Sequence, residues 1–173
     1  MQWNPHLAFN GRCQEAFAFY ERCLGGKVVA MIPYGATPAK EHVPAGTEAR
    51  IMHARIVLGD QVLMGCDAHP DMPYEGVKGC DVAVQVKTAA EAERLFAALS
   101  EGGTVQMPIG ETWNLVRFGM LTDRFGVSWQ VVPKALTDLL REPDPEKSTR
   151  VMTALIPMKK LDIAALQRAR DGH

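Results

Sequence analysis

Apolar residues recur with two different periods along this chain, and the change from one to the other happens twice in the same order. Pro5 to Phe9 reads as a short strand closed by the turn pair Asn10-Gly11. From Arg12 onward Ala16, Phe17, Tyr20, Cys23 and Leu24 fall at helical spacing, and Gly25-Gly26 stands where a helix C-cap belongs. Lys27 to Pro33 is a second strand. Tyr34 to Ala49, rich in Gly, Pro and charge and without periodicity, is a long loop. Met52, Ala54, Ile56 and Leu58 then alternate with His53, Arg55 and Val57, which predicts a strand with one buried face. Gly59-Asp60 turns it, and Gln61 to Cys66 runs back beside it. The order is βαβββ.

The second pass starts at Cys80, after a linker at 68–79. Val82, Val84 and Val86 alternate with Ala83 and Gln85. Ala92, Leu95, Phe96 and Leu99 mark a helix that Gly102-Gly103 ends, and Val105 to Ile109 is a strand. Leu115 to Pro133 is a hairpin, with a break at Gly119, a polar turn from Thr122 to Gly126 and a β-branched, aromatic run that Pro133 stops. Leu7–Gly26 lie over Val84–Gly103 without a gap, so Phe9 meets Val86, Phe19 meets Phe96 and the two Gly-Gly pairs coincide. The chain is therefore α+β: a duplicated domain over 1–133, with modules at 4–67 and 80–133, and a helical tail over 134–173. In the tail, Ala135–Leu140 is a short helix. Asp144-Pro145 opens a helix with Val151, Met152, Leu155 and Ile156 on one side, and Asp162 caps a last one holding Ile163 and Leu166. Those apolar sides need burial on the sheet or on another subunit.

Composition narrows the partners. At 173 residues with 47% apolar and 23% charged residues and a net charge of −1, the chain has no basic excess to attract nucleic acid or an anionic membrane surface. The four cysteines, Cys13, Cys23, Cys66 and Cys80, show no CxxC spacing and read as reduced thiols of a cytoplasmic protein. No apolar run approaches a membrane span.

The duplicated βαβββ plan resembles the vicinal oxygen chelate (glyoxalase/bleomycin-resistance) superfamily. Asn4–Gly26, Arg50–Asp67, Glu101–Val132 and the tail segment Asp144–Ala169 resemble its PhnB-like branch, whose domain carries a 3-demethylubiquinone methyltransferase label. The resemblance implies a half-barrel sheet built from two modules, with a small-molecule cavity between them. The methyltransferase label finds no support in the residues: the strand-to-helix junctions Asn10-Gly11-Arg12 and Lys87-Thr88-Ala89 lack a Gly-rich turn for a methyl donor. Where the branch commonly has an aromatic pair after Glu-Thr, this chain has Trp113 followed by Asn114.

The resemblance also implies a place for a divalent metal, with ligands on the first and last strands of each module. The positions here are Pro5/His6, Leu63/Met64, Val82/Ala83 and Gln130. His6 meets Ala83, and with Gly59 laid on Gly126 Gln130 meets Leu63, so only His6 and Gln130 could ligate. Two neutral ligands without a carboxylate make a poor divalent site. No cofactor is predicted, and a divalent metal stays open as the alternative. His6 reaches the cavity only if Leu7 and Phe9 point the other way. Phe9, Tyr34, Met64, Trp113 and Trp129 are candidates for an apolar pocket wall, with ordinary core packing under the tail helices as the competing reading for all five, and the favoured one for Met64 and Trp129. Gln130 serves either the pocket or a half-polar strand face. His53, beside Arg55, is either a site residue or a surface one, and Glu111 is structural before it borders a pocket.

Three functions fit. The first is small-molecule binding in an apolar cavity between modules, without metal. The second is a metal-dependent isomerase, lyase or dioxygenase, and the third a scaffolding dimer with a vestigial pocket. A homodimer is expected in each, from the pairing habits of the superfamily and the unburied tail.

Overall fold

Strand alternation decides the first sheet. In β1 (His6–Phe9) Leu7 and Phe9 are buried while His6 is exposed and Ala8 half-buried. The buried pair meets α1 (Cys13–Leu24), whose Phe17 and Tyr20 lie 6.3 and 6.5 Å from the Phe9 ring, centroid to centroid. β2 (Lys27–Pro33), β3 (Ile51–Leu58) and β4 (Gln61–Asp67) complete a sheet ordered β1-β4-β3-β2, with β1 parallel to β4 and the other pairs antiparallel. Helix and sheet approach closely at Gly65, where a Cβ would stand 2.6 Å from Phe17 Cε2. The Gly25-Gly26 pair serves two needs. Gly25 takes the left-handed C-cap (φ 74°), and a Cβ on Gly26 would press on the Val57 carbonyl at 2.9 Å.

The structure, a computed structural model, describes residues 3–110, 118–158 and 162–173. The chain divides into two compact units, Met1–Cys80 and Asp81–His173. In the second, β5 (Asp81–Val86), α2 (Ala89–Ser100), β6 (Thr104–Met107), β7 (Gly119–Thr122) and β8 (Ser128–Pro133) repeat the plan, in the order β5-β8-β7-β6. Hairpin residues Leu115 and Arg117 lie outside the described residues.

A buried carboxylate pins each unit. α1 has no cap from its own N-cap residue, Arg12; instead Cys13 N–H donates to Asp67 Oδ1 (3.0 Å) and Ile51 N–H to Asp67 Oδ2 (2.8 Å). One side chain thus ties the helix start and β3 to the end of β4. A buried N–H left without its acceptor costs about 1–3 kcal/mol, so the two bonds together rival any single apolar contact in the unit. In the hairpin, Asp123 accepts from Phe125 N–H (2.8 Å), Val127 N–H (3.0 Å) and the Trp129 indole Nε1–H (2.8 Å).

Three expectations change. The loop after β2 holds two short 3-10 turns, Tyr34–Ala36 and Pro38–His42, the second capped by Thr37. The linker lies with the first unit and returns to β1: Ala68 N–H donates to Phe9 O (2.7 Å) and the Tyr74 hydroxyl to Ala8 O (3.1 Å). The tail, α3 (Lys134–Leu140), α4 (Pro145–Leu155) and α5 (Ile163–Asp171), packs in part on itself. Leu139, Val151, Ile163 and Leu166 make a small core of their own, and Arg150 donates from Nε to Ala169 O (3.0 Å) and from Nη2 to Arg170 O (2.7 Å). Met152 and Ile156, expected on the apolar side, stay exposed, Ile156 at 78%. Three short helices with one or two large apolar residues each bury those residues against one another, and Leu140, Met152 and Ile156 stay outside that core.

Candidate functional site

α1 covers one face of the first sheet, and the other face carries the chemistry. Register puts His6 of β1 beside Met64 of β4, Met64 beside Arg55 of β3, and Arg55 beside Ala30 of β2. The next row holds Ala8 beside Cys66 and His53 beside Ile32. Side chains two apart on a strand share a face. His6, Met64, Cys66, His53 and Arg55 therefore stand together, opposite the core residues Leu7, Ile56 and Leu63.

The polar members are coupled. His6 Nε2 lies 3.3 Å from Cys66 Sγ. The His6 imidazole is held below its ordinary pKa, first by partial desolvation and then by His53. Burial, and after it the Asp67 carboxylate, push the Cys66 thiol up. Near neutral pH the pair is therefore an uncharged imidazole against a protonated thiol. Tyr34 borders this end: burial, Cys66 and Asp67 raise its phenol, partly offset by Arg50, and its ring meets His69 edge-on at 6.3 Å. Arg55 Nε is buried and makes no hydrogen bond.

The second sheet repeats the register with different contents. Ala83 pairs with Gln130, Gln130 with Met120 and Met120 with Met107. Since His6 pairs with Met64 as Ala83 pairs with Gln130, the counterpart of Gln130 is Met64, not Leu63; the turns differ by one residue, so aligning their glycines shifts the strand. Gln130 Nε2 donates to Asp81 Oδ2 (2.8 Å), and this carboxyl is held below the usual range by bonds from Ser128 and Gln130.

Of the pocket candidates, the structure brings together His6, His53 and Met64, with Tyr34 at their border. Phe9 (1% exposed) and Trp129 (0%) belong to the cores on the opposite faces, because the alternation that turns His6 and Gln130 outward turns these two inward. Trp113 and Glu111 lie outside the described residues. Arg55 and Cys66 were legible only as neighbours in a strand. Their sign was a cation and a thiol at positions alternating with the apolar ones.

The donor set does not suit a hard divalent metal. The four positions implied for one are His6, Met64, Ala83 and Gln130, without a carboxylate among them, and the Gln130 amide is already committed to Asp81. Among the described residues no three of His, Cys, Asp and Glu converge as a metal cluster.

Two βαβββ units with this strand order and an open sheet face define a glyoxalase-like protein. The fold is shared with a glyoxalase/bleomycin resistance protein from Albidiferax ferrireducens T118, at 14% identity over 78% of this chain and 98% of that one, TM-score 0.53. A family model described as 3-demethylubiquinone-9 3-methyltransferase matches residues 1–132, and the chain belongs to that PhnB-like family. It is similar to protein YjdN of Escherichia coli (strain K12), 30% identical over 139 residues, 76% of this chain and 94% of that one. The crystal structure of PA1353 from Pseudomonas aeruginosa is 53% identical over 77% of this chain and 97% of its own, TM-score 0.70. That of the PhnB protein from Bacillus cereus is 26% identical over 77% and 99%, TM-score 0.64.

The His6 environment gives a pH signature. Its folded pKa is lower than its unfolded one, so between the two values the unfolded chain binds more protons and stability falls as pH falls. NMR titration of the imidazoles should place His6 below the ordinary histidine value, and His53→Gln should move it part of the way back up, since desolvation remains. An unchanged His6 value in that variant would mean the two rings do not interact.

Proposed function

We propose that this protein binds a small molecule on the helix-free face of its first sheet, without a resident divalent metal. The supporting observation is the face itself: His6, Cys66, His53 and Arg55 sit half-buried or at its rim beside the thioether of Met64, away from the core that α1 fills. A few convergent polar groups on an apolar wall is the composition of small-molecule sites. Met64, Ala8 and Ile32 supply the apolar area, and soft Met surface adapts to varied ligands.

Methyl transfer, the activity in the family's name, is not part of this reading. A methyl donor held at a strand-to-helix junction would need free N–H groups at a helix start. Here Asp67 takes the Cys13 N–H, and Thr88 Oγ1 takes the Glu91 N–H (3.1 Å). Among the described residues no helix is long and apolar enough to cross a membrane.

The test is a fragment screen followed by NMR on the methionine methyl groups, with Met64 assigned through Met64→Leu. Binding fragments should shift the Met64 methyl and the His6 and His53 rings. Fragments that shift only other regions, or none that bind, would contradict the assignment.

A homodimer belongs to the same proposal on one ground. Edge strands β2 and β6 expose Val29 (57%), Val105 (46%) and Met107 (47%), and open edges with apolar side chains favour pairing with another chain. Sedimentation velocity at micromolar concentration should give twice the 19.0 kDa chain mass; a monomer ends this part of the reading.

A further inference from the structure

Arg55 occupies the middle of the helix-free face, with Met64 on one side and Ala30 on the other. Its Nε is buried without a hydrogen-bond partner, and among the described residues no carboxylate pairs with its guanidinium. The face offers none: its neighbours are His6, Met64, Cys66, His53 and Ile32. The buried acid of this unit, Asp67, is on the opposite side, with its oxygens engaged by Cys13 and Ile51 N–H. A guanidinium keeps its charge at any working pH, and a buried donor left unmade is costly, more so when charged. The fold does not need a cation at this place. The equivalent position of the second sheet, beside Gln130 as Arg55 is beside Met64, holds Met120.

We infer that Arg55 anchors the ligand's carboxylate, so that the molecule bound here is a small organic carboxylate with an apolar body. The inference rests on the reading that this face binds a small molecule, and it names the class. The Nη atoms of Arg55 are not among the buried unpaired ones, and the two Nη–H groups of a guanidinium form an end-on fork that matches the two oxygens of a carboxylate. With Nε buried, the guanidinium is partly desolvated, and an ion pair at its Nη edge is stronger than a fully exposed one. The apolar body lies on Met64 and Ile32, and the uncharged His6–Cys66 pair stands at the rim.

The probes are benzoate and its neutral isostere benzamide, titrated into the full chain and followed at the Arg55 Nε–H and Met64 methyl resonances. Benzoate should bind at least about tenfold more tightly than benzamide, and Arg55→Gln should weaken benzoate about tenfold or more while leaving benzamide unchanged. The wild-type comparison of the two probes is independent of how the variant behaves. Removing an unpaired cation should also leave the melting temperature no lower than that of the parent chain. If benzamide matches benzoate at the same resonances, the face binds small molecules and the carboxylate inference fails. If neither probe moves those resonances, the binding reading fails with it.

Discussion

A pleated strand shows each helix only every second side chain, and that constraint governs this molecule. Once α1 claims Leu7, Phe9, Ala54, Ile56 and Leu63, the residues between them are committed to the other face. A slip of one residue would bury His6 and Arg55 and expose the aromatic core, so register is under strong energetic control. Asp67 holds that register from inside, because it can accept from both Cys13 and Ile51 N–H only with β4, β3 and the helix start in their present alignment. The site is what the core leaves over.

The two units use one plan for different ends. His6, Met64 and Arg55 line up across the first sheet; Ala83, Gln130 and Met120 line up across the second. Of the two rows, only the first has a titratable ring and a charge, and the Nε of that charged group, Arg55, is buried without a hydrogen bond. Duplication preserved the strand order, while the helix caps and the residues of the free faces diverged.

Most of the fold was legible in the sequence because periodicity, Gly-Gly terminators and Asp caps act locally. The helix starts at Asp144 and Asp162 and the C-cap at Gly25 follow from residue chemistry within one turn. Strand phase settled His6, as the neighbours Leu7 and Phe9 demanded, and the same rule placed Phe9 and Trp129 in the core rather than in a pocket. What stayed hidden depends on partners distant in the chain. The cap of α1 comes from Asp67 and not from its own first residues. The indole of Trp129 is satisfied by Asp123, and the pairing of Gln130 with Asp81 crosses two strands. The isolation of Arg55 is a property of everything around it, which no pattern along one strand carries.

The proposal that this face binds an organic molecule with no resident divalent metal rests on its donors, which are the His6 and His53 imidazoles, the Cys66 thiol and the Met64 thioether, with no carboxylate among them. Elemental mass spectrometry on tag-free protein, grown with supplemented metals and never exposed to chelator, tests it most directly. Negligible divalent metal per chain is the expected result. A value near one per chain, reduced by His6→Ala and by Gln130→Ala, would contradict it and make a metal-dependent enzyme the better description.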